Sequence, residues 1–360
     1  MKLEELKAFW LKEFEEACRE ASHVALIHHW DADGIASCAM LVEEIRKRAK
    51  NVGLSCYTPK IGLYRIPEDE LPEIAGDFAV VADISLDEGS VERLRNKLGR
   101  VFVVDHHKPK SYANVLYFNP LLVGDDYDAW PSTTWVIKEL FNREVDLLCV
   151  LGAVGDCERR LTLNEKIWPL VERFLVKSKV KLEELLRAVE LIDSSYKVGN
   201  RAWITEAPML LAERKKSLKA LLEDELLKKQ AEAVKSEVER WSKADPVEES
   251  DGVAFFVIES KYNVISSVTR KLAWSGKWKV VVVLNQACGE GFKQLYIRTS
   301  SKSVNLSEIL AEVRKHALEA GGKKEVLGAV LPGDISAEEA LSIAKKALKR
   351  LMGSRDGGQS

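Results

Sequence analysis

A chain of 360 residues, 46% hydrophobic and 31% charged with a formal net charge of −2, is that of a folded globular protein with room for two or three domains, and the balance excludes a disordered chain. No apolar run approaches the roughly 18 residues that span a bilayer, and the opening MKLEELKAFWLKEFEEACRE is amphipathic and acidic, unlike a secretory signal. The expectation is a cytoplasmic protein with no membrane partner, in which nucleic-acid binding would be confined to a local basic groove.

Leu3, Leu6, Phe9, Phe14 and Cys18 recur at helical spacing and predict a helix over residues 1–22. HVALIH (23–28) is apolar and of strand length, and Gly34 opens a helix over 35–50 with Lys and Arg in its last turns. LSCYTPK (54–60), FAVVAD (78–83), RVFVVD (100–105) and VLYFNP (115–120) read as strands, with a helix at 85–98 between the middle two. Apolar strands alternating with helices predict an α/β fold built on a parallel sheet covered on both faces.

From 132 to about 200 the pattern turns helical, and 209–244 is a long charged stretch without Gly or Pro that suits a linker helix. ADPVEESDG (244–252) is a turn-rich boundary. A second α/β unit follows, with strands at 253–260, 278–286, 292–300 and 327–332 and helices at 264–274, 306–320 and 336–352. The tail GSRDGGQS is expected to be disordered. Cys18, Cys38, Cys56, Cys149, Cys157 and Cys288 form no CxxC pair and read as reduced thiols, most of them buried in apolar stretches.

The chemistry gathers where apolar runs end. HVALIH runs into His29-Trp30-Asp31-Ala32-Asp33-Gly34, FAVVAD ends at Asp83, RVFVVD ends at Asp105 followed by His106 and His107, and LLCVLGAVGD ends at Asp156. Ligands of open parallel sheets sit at the carboxyl ends of strands, so residues far apart in sequence would converge. Carboxylates crowded without cations repel one another. Divalent metals remove that conflict, and mixed imidazole and carboxylate ligands suit manganese, zinc or iron better than calcium or magnesium. Five aspartates and three histidines exceed what one ion needs. Two ions about 3.5–4 Å apart, bridged by a carboxylate, would use them and would clamp a phosphoryl group while activating a water. A lone strand-end Asp such as Asp83 or Asp156 is ordinarily a helix N-cap, but four such sites sharing one chemistry favour metal ligation by Asp31, Asp33, Asp83, His106 and Asp156. Asp105 fits direct ligation and a supporting role equally. His23 and His316, without acidic neighbours in sequence, read as structural, and His28 as the last residue of its strand.

At these residues the sequence resembles the DHH phosphoesterase superfamily, whose signature is HxDxDG, a strand-end Asp, the triplet DHH and a further strand- or helix-end Asp. HWDADG (29–34), VVAD (80–83), VVDHH (103–107) and GAVGD (152–156) follow that order. The resemblance implies a parallel-sheet DHH catalytic domain with a helical C-terminal part (1–205), a linker helix (206–250), a smaller α/β DHH-associated substrate-binding domain (251–352) and a tail (353–360). It implies that His29 and Asp31 hold one metal, that Asp33, His106 and Asp156 hold the other, that Asp83 bridges them, and that His107 sits near the scissile phosphate. The associated domain usually carries an Arg on a strand and a GGGH-type glycine loop. Arg298 in YIRTS and Gly321-Gly322-Lys323 in AGGKKEVLGA match, with Lys323 standing where the loop's usual His would be. Cationic phosphate binding survives that change and an imidazole-specific role does not.

The arrangement resembles the shorter archaeal RecJ-like nucleases, which implies a single-strand exonuclease on DNA or RNA, leaning 3′→5′, with two divalent ions, manganese first and magnesium or cobalt as alternatives. Two domains facing each other across a cleft would suit a threaded single strand. Trp30, and less so Trp130 and Trp135, are candidates for base stacking. The main alternative is a small-substrate member of the same group, a nanoRNase or an oligonucleotide or cyclic-dinucleotide phosphodiesterase. A family II pyrophosphatase fits less well, because its second domain normally lacks the glycine loop. A scaffold of the replication or repair machinery is the non-enzymatic alternative; the occupied metal positions argue against a dead scaffold but leave room for a repair helicase or replication protein as partner.

Overall fold

The structure, a computed structural model, describes residues 2–213, 217–287 and 291–353. It divides into two compact units, one of residues 1–196 with 200–230 and the other of 197–199 with 231–360. Cys288 and the tail from 354 onward lie outside the described residues. Among the described residues no helix is long and apolar enough to cross a membrane.

The first unit runs α1 (Leu3–Glu20), β1 (His23–His28), α2 (Ala32–Arg48), β2 (Gly53–Tyr57), β3 (Phe78–Ala82), α3 (Glu88–Leu98), β4 (Arg100–Val104), β5 (Leu116–Phe118), α4 (Thr133–Leu140), α5 (Leu147–Cys157), α6 (Trp168–Ser178), α7 (Leu182–Lys197), α8 (Arg201–Glu213) and α9 (Leu218–Glu223). Its five strands pair in the order β2-β1-β3-β4-β5, every pair parallel. β3 is buried along its whole length, and β1 everywhere but its first residue, which is why both read as uninterrupted apolar runs rather than alternating ones. Against the sheet, Trp10 and Phe14 of α1 pack on Phe102, and Phe14 and Phe102 on Phe78. The Trp10 indole N–H donates to the Leu116 carbonyl at 2.9 Å. In the order 2-1-3-4-5 the strand connections reverse between β1 and β3. A ligand crevice is expected at the carboxyl ends of those two strands, where His29 and Asp83 stand.

α10 (Glu225–Trp241) leads into the second unit, which continues β6 (Glu248–Ser250), β7 (Val253–Ile258), α11 (Ile265–Ala273), β8 (Val280–Asn285), β9 (Phe292–Thr299), α12 (Leu310–Arg314), β10 (Glu319–Lys323), β11 (Val326–Pro332) and α13 (Ala337–Gly353). Its six strands lie in the order β10-β11-β9-β8-β7-β6, with only β7 and β8 parallel. One core, with Val282, Leu295, Ile297, Ala344 and Leu348, covers one sheet face, and a second, with Phe256, Val268 and Leu272, covers the other.

Three expectations need correction. Among the described residues, the charged stretch at 209–244 is not one linker helix: its helical parts fall in α8, α9 and α10, with Asp224 in extended backbone between the last two. The helix expected over 306–320 is confined to a short 3-10 turn and α12, because the chain enters β10 at Glu319. AGGKKEVLGA is accordingly not a loop: it forms β10, a two-residue turn and the start of β11. Side-chain-poor glycines gave no strand signal there.

Candidate metal centre

The loop after β1 turns directly into α2. Asp31 is the N-cap of α2, accepting from the Gly34 N–H at 3.0 Å. Gly34 is forced by crowding: a Cβ there would fall 2.5 Å from both the Cβ and the carbonyl oxygen of His29. This close turn brings His29 Nδ1 within 2.7 Å of Asp31 Oδ2 and 3.8 Å of Asp83 Oδ2. Asp83 follows β3 with φ +60°, a left-handed conformation that ordinarily costs a non-glycine residue about 1 kcal/mol and that concentrates at functional sites. The other oxygen of Asp83 accepts from the Thr133 hydroxyl at 2.7 Å and lies 3.7 Å from His106 Nε2 and 3.9 Å from His107 Nδ1.

After β4 the chain turns at Asp105. Asp105 Oδ1 accepts from the His106 N–H (2.8 Å), the His107 N–H (3.1 Å) and His107 Nδ1 (2.7 Å), while Oδ2 accepts from the Ser85 hydroxyl (3.1 Å). Of the two readings open for Asp105, this geometry favours the supporting one: its carboxylate is taken up in orienting the two histidines. His106 Nδ1 lies 3.2 Å from the Trp130 carbonyl, and His106 Nε2 lies 2.9 Å from Asp156 Oδ2. Asp156 stands near the end of α5, a helix end rather than a strand end. Asp33, in the first turn of α2, accepts from the backbone N–H groups of Thr133 (2.7 Å) and Thr134 (3.1 Å) at the start of α4, where a carboxylate complements the helix dipole. Thr133 therefore touches both Asp33 and Asp83, a role that nothing in its local sequence signals.

Three overlapping groups are close enough to hold a metal ion: His29, Asp31 and Asp83; Asp33, His106 and Asp156; and Asp83, His106 and His107. The side chains fit such an ion. His29 Nε2 and His106 Nε2 are buried and without an aligned hydrogen bond, and imidazole nitrogens beside carboxylates at 2.7–3.9 Å form a donor set for a transition-metal dication.

The electrostatics agree. Burial, followed by the charges of Asp33, Asp31, Asp156 and Asp105, pushes the Asp83 carboxyl well above its ordinary range. Burial and then Asp156 raise Asp33 to about 6. Burial works against the ionised form of Asp31 and Asp105 as well, but the His29 charge for the one and the His107 hydrogen bond for the other outweigh it and hold each at about 2. Burial alone would depress His106, yet its contact with Asp156 lifts it to about 9. Such divergent values among neighbours are the mark of uncompensated charge in one pocket. His28 stands apart: buried, pushed down to about 4 by that burial, with Nδ1 at 2.7 Å from the His29 carbonyl.

The other expected site residues are distributed as follows. Trp30 is only 5% exposed and packs on His29 at 4.3 Å between ring centroids, so its ring supports that imidazole rather than facing solvent. Trp130 and Trp135 are also buried. Arg298, Gly321, Gly322 and Lys323 lie in the second unit. Lys323 pairs with Val326, and Val326 with Arg298, so the two cations share one face of the sheet across three strands. The described cysteines are all free.

Residues 23–156 match the DHH family, N-terminal domain, a stretch that runs through every residue of the three ligand groups from His29 to Asp156. The fold is also that of solved structures. An exonuclease RecJ bound to manganese is similar at a TM-score of 0.62 and 19% identity, covering 96% of this chain and 93% of the other. RecJ from Thermus thermophilus in complex with Mn2+ is similar at 0.67 and 18%, covering 96% of this chain and 55% of that longer one. The pGpG-specific phosphodiesterase PggH from Vibrio is similar at 0.50 and 12%, covering 92% and 99%. No curated protein matches the chain significantly in sequence.

Proposed function

We propose that the protein is a metal-dependent exonuclease that hydrolyses phosphodiester bonds at the end of single-stranded DNA or RNA, leaning 3′→5′, in DNA repair, replication or RNA turnover. The observation that carries this reading is the pair of ligand groups joined through Asp83, whose two oxygens face His29 on one side and His106 on the other. His29 and Asp31 would hold one ion, Asp33, His106 and Asp156 the other, and Asp83 both, with manganese the first candidate and magnesium or cobalt the alternatives. Divalent ions so held supply an activated water and neutralise charge on the phosphoryl oxygens.

The chain's own residues do the rest. Asp105 fixes the His107 ring through Nδ1, leaving its Nε2 edge, on a 44% exposed side chain, to meet the scissile phosphate. Thr133 orients Asp83 and, with Thr134, Asp33. Arg298 and Lys323 would grip a further phosphate, Arg298 by its bidentate fork and Lys323 as a point charge, beside the Gly321-Gly322 backbone. A repair helicase or replication protein remains the proposed class of protein partner.

The fold shared with PggH supports a second reading, a phosphodiesterase for oligonucleotides of a few residues or for cyclic dinucleotides. Digestion of end-labelled DNA and RNA strands of graded length with manganese separates the two. The exonuclease reading expects stepwise shortening of strands of 20 or so nucleotides; activity that vanishes beyond a few nucleotides would replace it with the second reading.

A further inference from the structure

Two tyrosines with no assigned part in the chemistry stand beside the metal centre. Tyr64 is 40% exposed and Tyr127 51% exposed. The Tyr64 ring lies 6.0 Å from the His29 ring at an interplanar angle of 23°, and the Tyr127 ring lies 6.3 Å from the His106 ring at 25°. Each therefore runs nearly parallel to an imidazole from a different half of the centre, since His29 groups with Asp31 while His106 groups with Asp33 and Asp156. Trp30, 5.4 Å from Tyr64, backs the first of these rings from inside the fold.

An exposed aromatic ring by itself needs no explanation. Here the backbone beneath each ring is held. The Tyr64 carbonyl accepts from the Asp87 N–H at 2.8 Å, the Ile66 N–H donates to the Ser90 hydroxyl at 2.8 Å, and Arg93 donates to the Ile66 carbonyl at 2.9 Å. Tyr127 opens a 3-10 turn capped by Asp126, its carbonyl accepts from the Trp130 N–H at 3.1 Å, and Asn164 and Lys166 tie the turn down through the Asp128 carbonyl and the Asp126 carboxylate. A ring presented on fixed backbone loses little freedom when a flat ligand stacks on it. Inorganic phosphate or polyphosphate offers nothing flat to stack, whereas every nucleobase has a π-face, and stacking on it tolerates any sequence.

We infer that Tyr64 and Tyr127 are base-stacking subsites, one beside each half of the centre, which receive the nucleobases flanking the scissile phosphate and so select nucleic-acid strands over phosphoesters without bases. This rests on the nuclease reading and adds the substrate feature that the metal ligands do not recognise. The alternative, that the tyrosines merely buttress His29 and His106, predicts a different kinetic signature.

The test is a cycle of manganese-dependent kinetics on a single strand with intact terminal nucleotides and on the same strand with abasic residues at its terminal positions. In the wild-type protein the abasic change is expected to raise KM about tenfold. The double variant Tyr64→Ala/Tyr127→Ala is expected to raise KM on the intact strand by a similar factor, with little further effect of the abasic change, each single alanine variant is expected to lose part of that factor, and Tyr64→Phe and Tyr127→Phe are expected to retain most of the affinity. Losses that multiply, or a fall in kcat at unchanged KM, would overturn the subsites while leaving the nuclease reading intact. A wild-type protein that hydrolyses neither strand would sink the nuclease reading and the subsites with it.

Discussion

Asp33 and Gly152 fit only together: a Cβ at position 152 would fall 2.1 Å from Asp33 Oδ1 and 2.2 Å from the Thr134 hydroxyl. The bare backbone of α5 is what lets the α2 carboxylate reach the start of α4. Gly152→Ala gains about 1 kcal/mol of helix propensity, yet overpacking here is expected to cost about 1–3 kcal/mol and to weaken manganese binding by moving Asp33. Urea unfolding and manganese titration check it. Unweakened manganese binding in a folded Gly152→Ala protein would remove Asp33 from the ligand set.

Asp105 holds the His107 ring through Nδ1 at 2.7 Å, and on the proposed reading that hold is its role. Asp105→Asn is expected to leave the fold intact and to lower the rate of hydrolysis roughly 10–100-fold, the usual loss when a partner that orients a site residue is removed. Its effect on stability has a defined sign. The folded-state value of about 2 lies below the ordinary 3.8, so the contribution is present above that ordinary value and fades as pH falls toward 2. The wild-type protein should therefore exceed Asp105→Asn in stability at pH 7, with the gap narrowing below pH 4. A gap independent of pH would contradict the assignment.

Metal binding should displace protons. Asp33 titrates near 6 and His106 near 9 in the metal-free protein, and ligands must be deprotonated to bind. Manganese affinity is therefore expected to fall as pH is lowered from 9 to 6 and further below 6. Calorimetric titrations in buffers of different ionisation enthalpy should register net proton release at pH 7; an affinity flat across that range would contradict these ligand assignments.

Much of this was legible from residues alone because β1, β3 and β4 are buried parallel strands: uninterrupted apolar runs mark them, and their ends deliver His29, Asp83 and Asp105 to one edge. What local pattern could not reveal is what arrives from elsewhere. Thr133 looks like any residue in the first turn of a helix, and its double contact to Asp33 and Asp83 exists only once α4 has packed. Trp30 is the conspicuous aromatic in the motif, but it is buried, and the exposed rings beside the centre are Tyr64 and Tyr127, which sit in connecting segments without a motif. The strand containing Gly321 and Gly322 was hidden by its own composition.

The cation pair of the second unit is expected to act in binding rather than chemistry. Arg298→Ala should raise KM for single strands more than it lowers kcat, because a contact made equally in ground and transition states is uniform binding. Steady-state kinetics decide it: a pure kcat effect would put Arg298 at the reacting phosphate.

The most direct measurement is hydrolysis of an end-labelled single strand by wild-type and Asp83→Asn proteins, each with manganese and with excess chelator. Asparagine keeps the shape at position 83 and tolerates its positive φ, so folding should persist while the shared carboxylate charge is lost. The expected result is stepwise shortening by the wild-type protein with manganese alone, none with chelator, and in Asp83→Asn a loss exceeding the roughly 10–100-fold typical of an outer partner. Hydrolysis at the wild-type rate by Asp83→Asn, or undiminished hydrolysis in chelator, would contradict a metal centre built around Asp83.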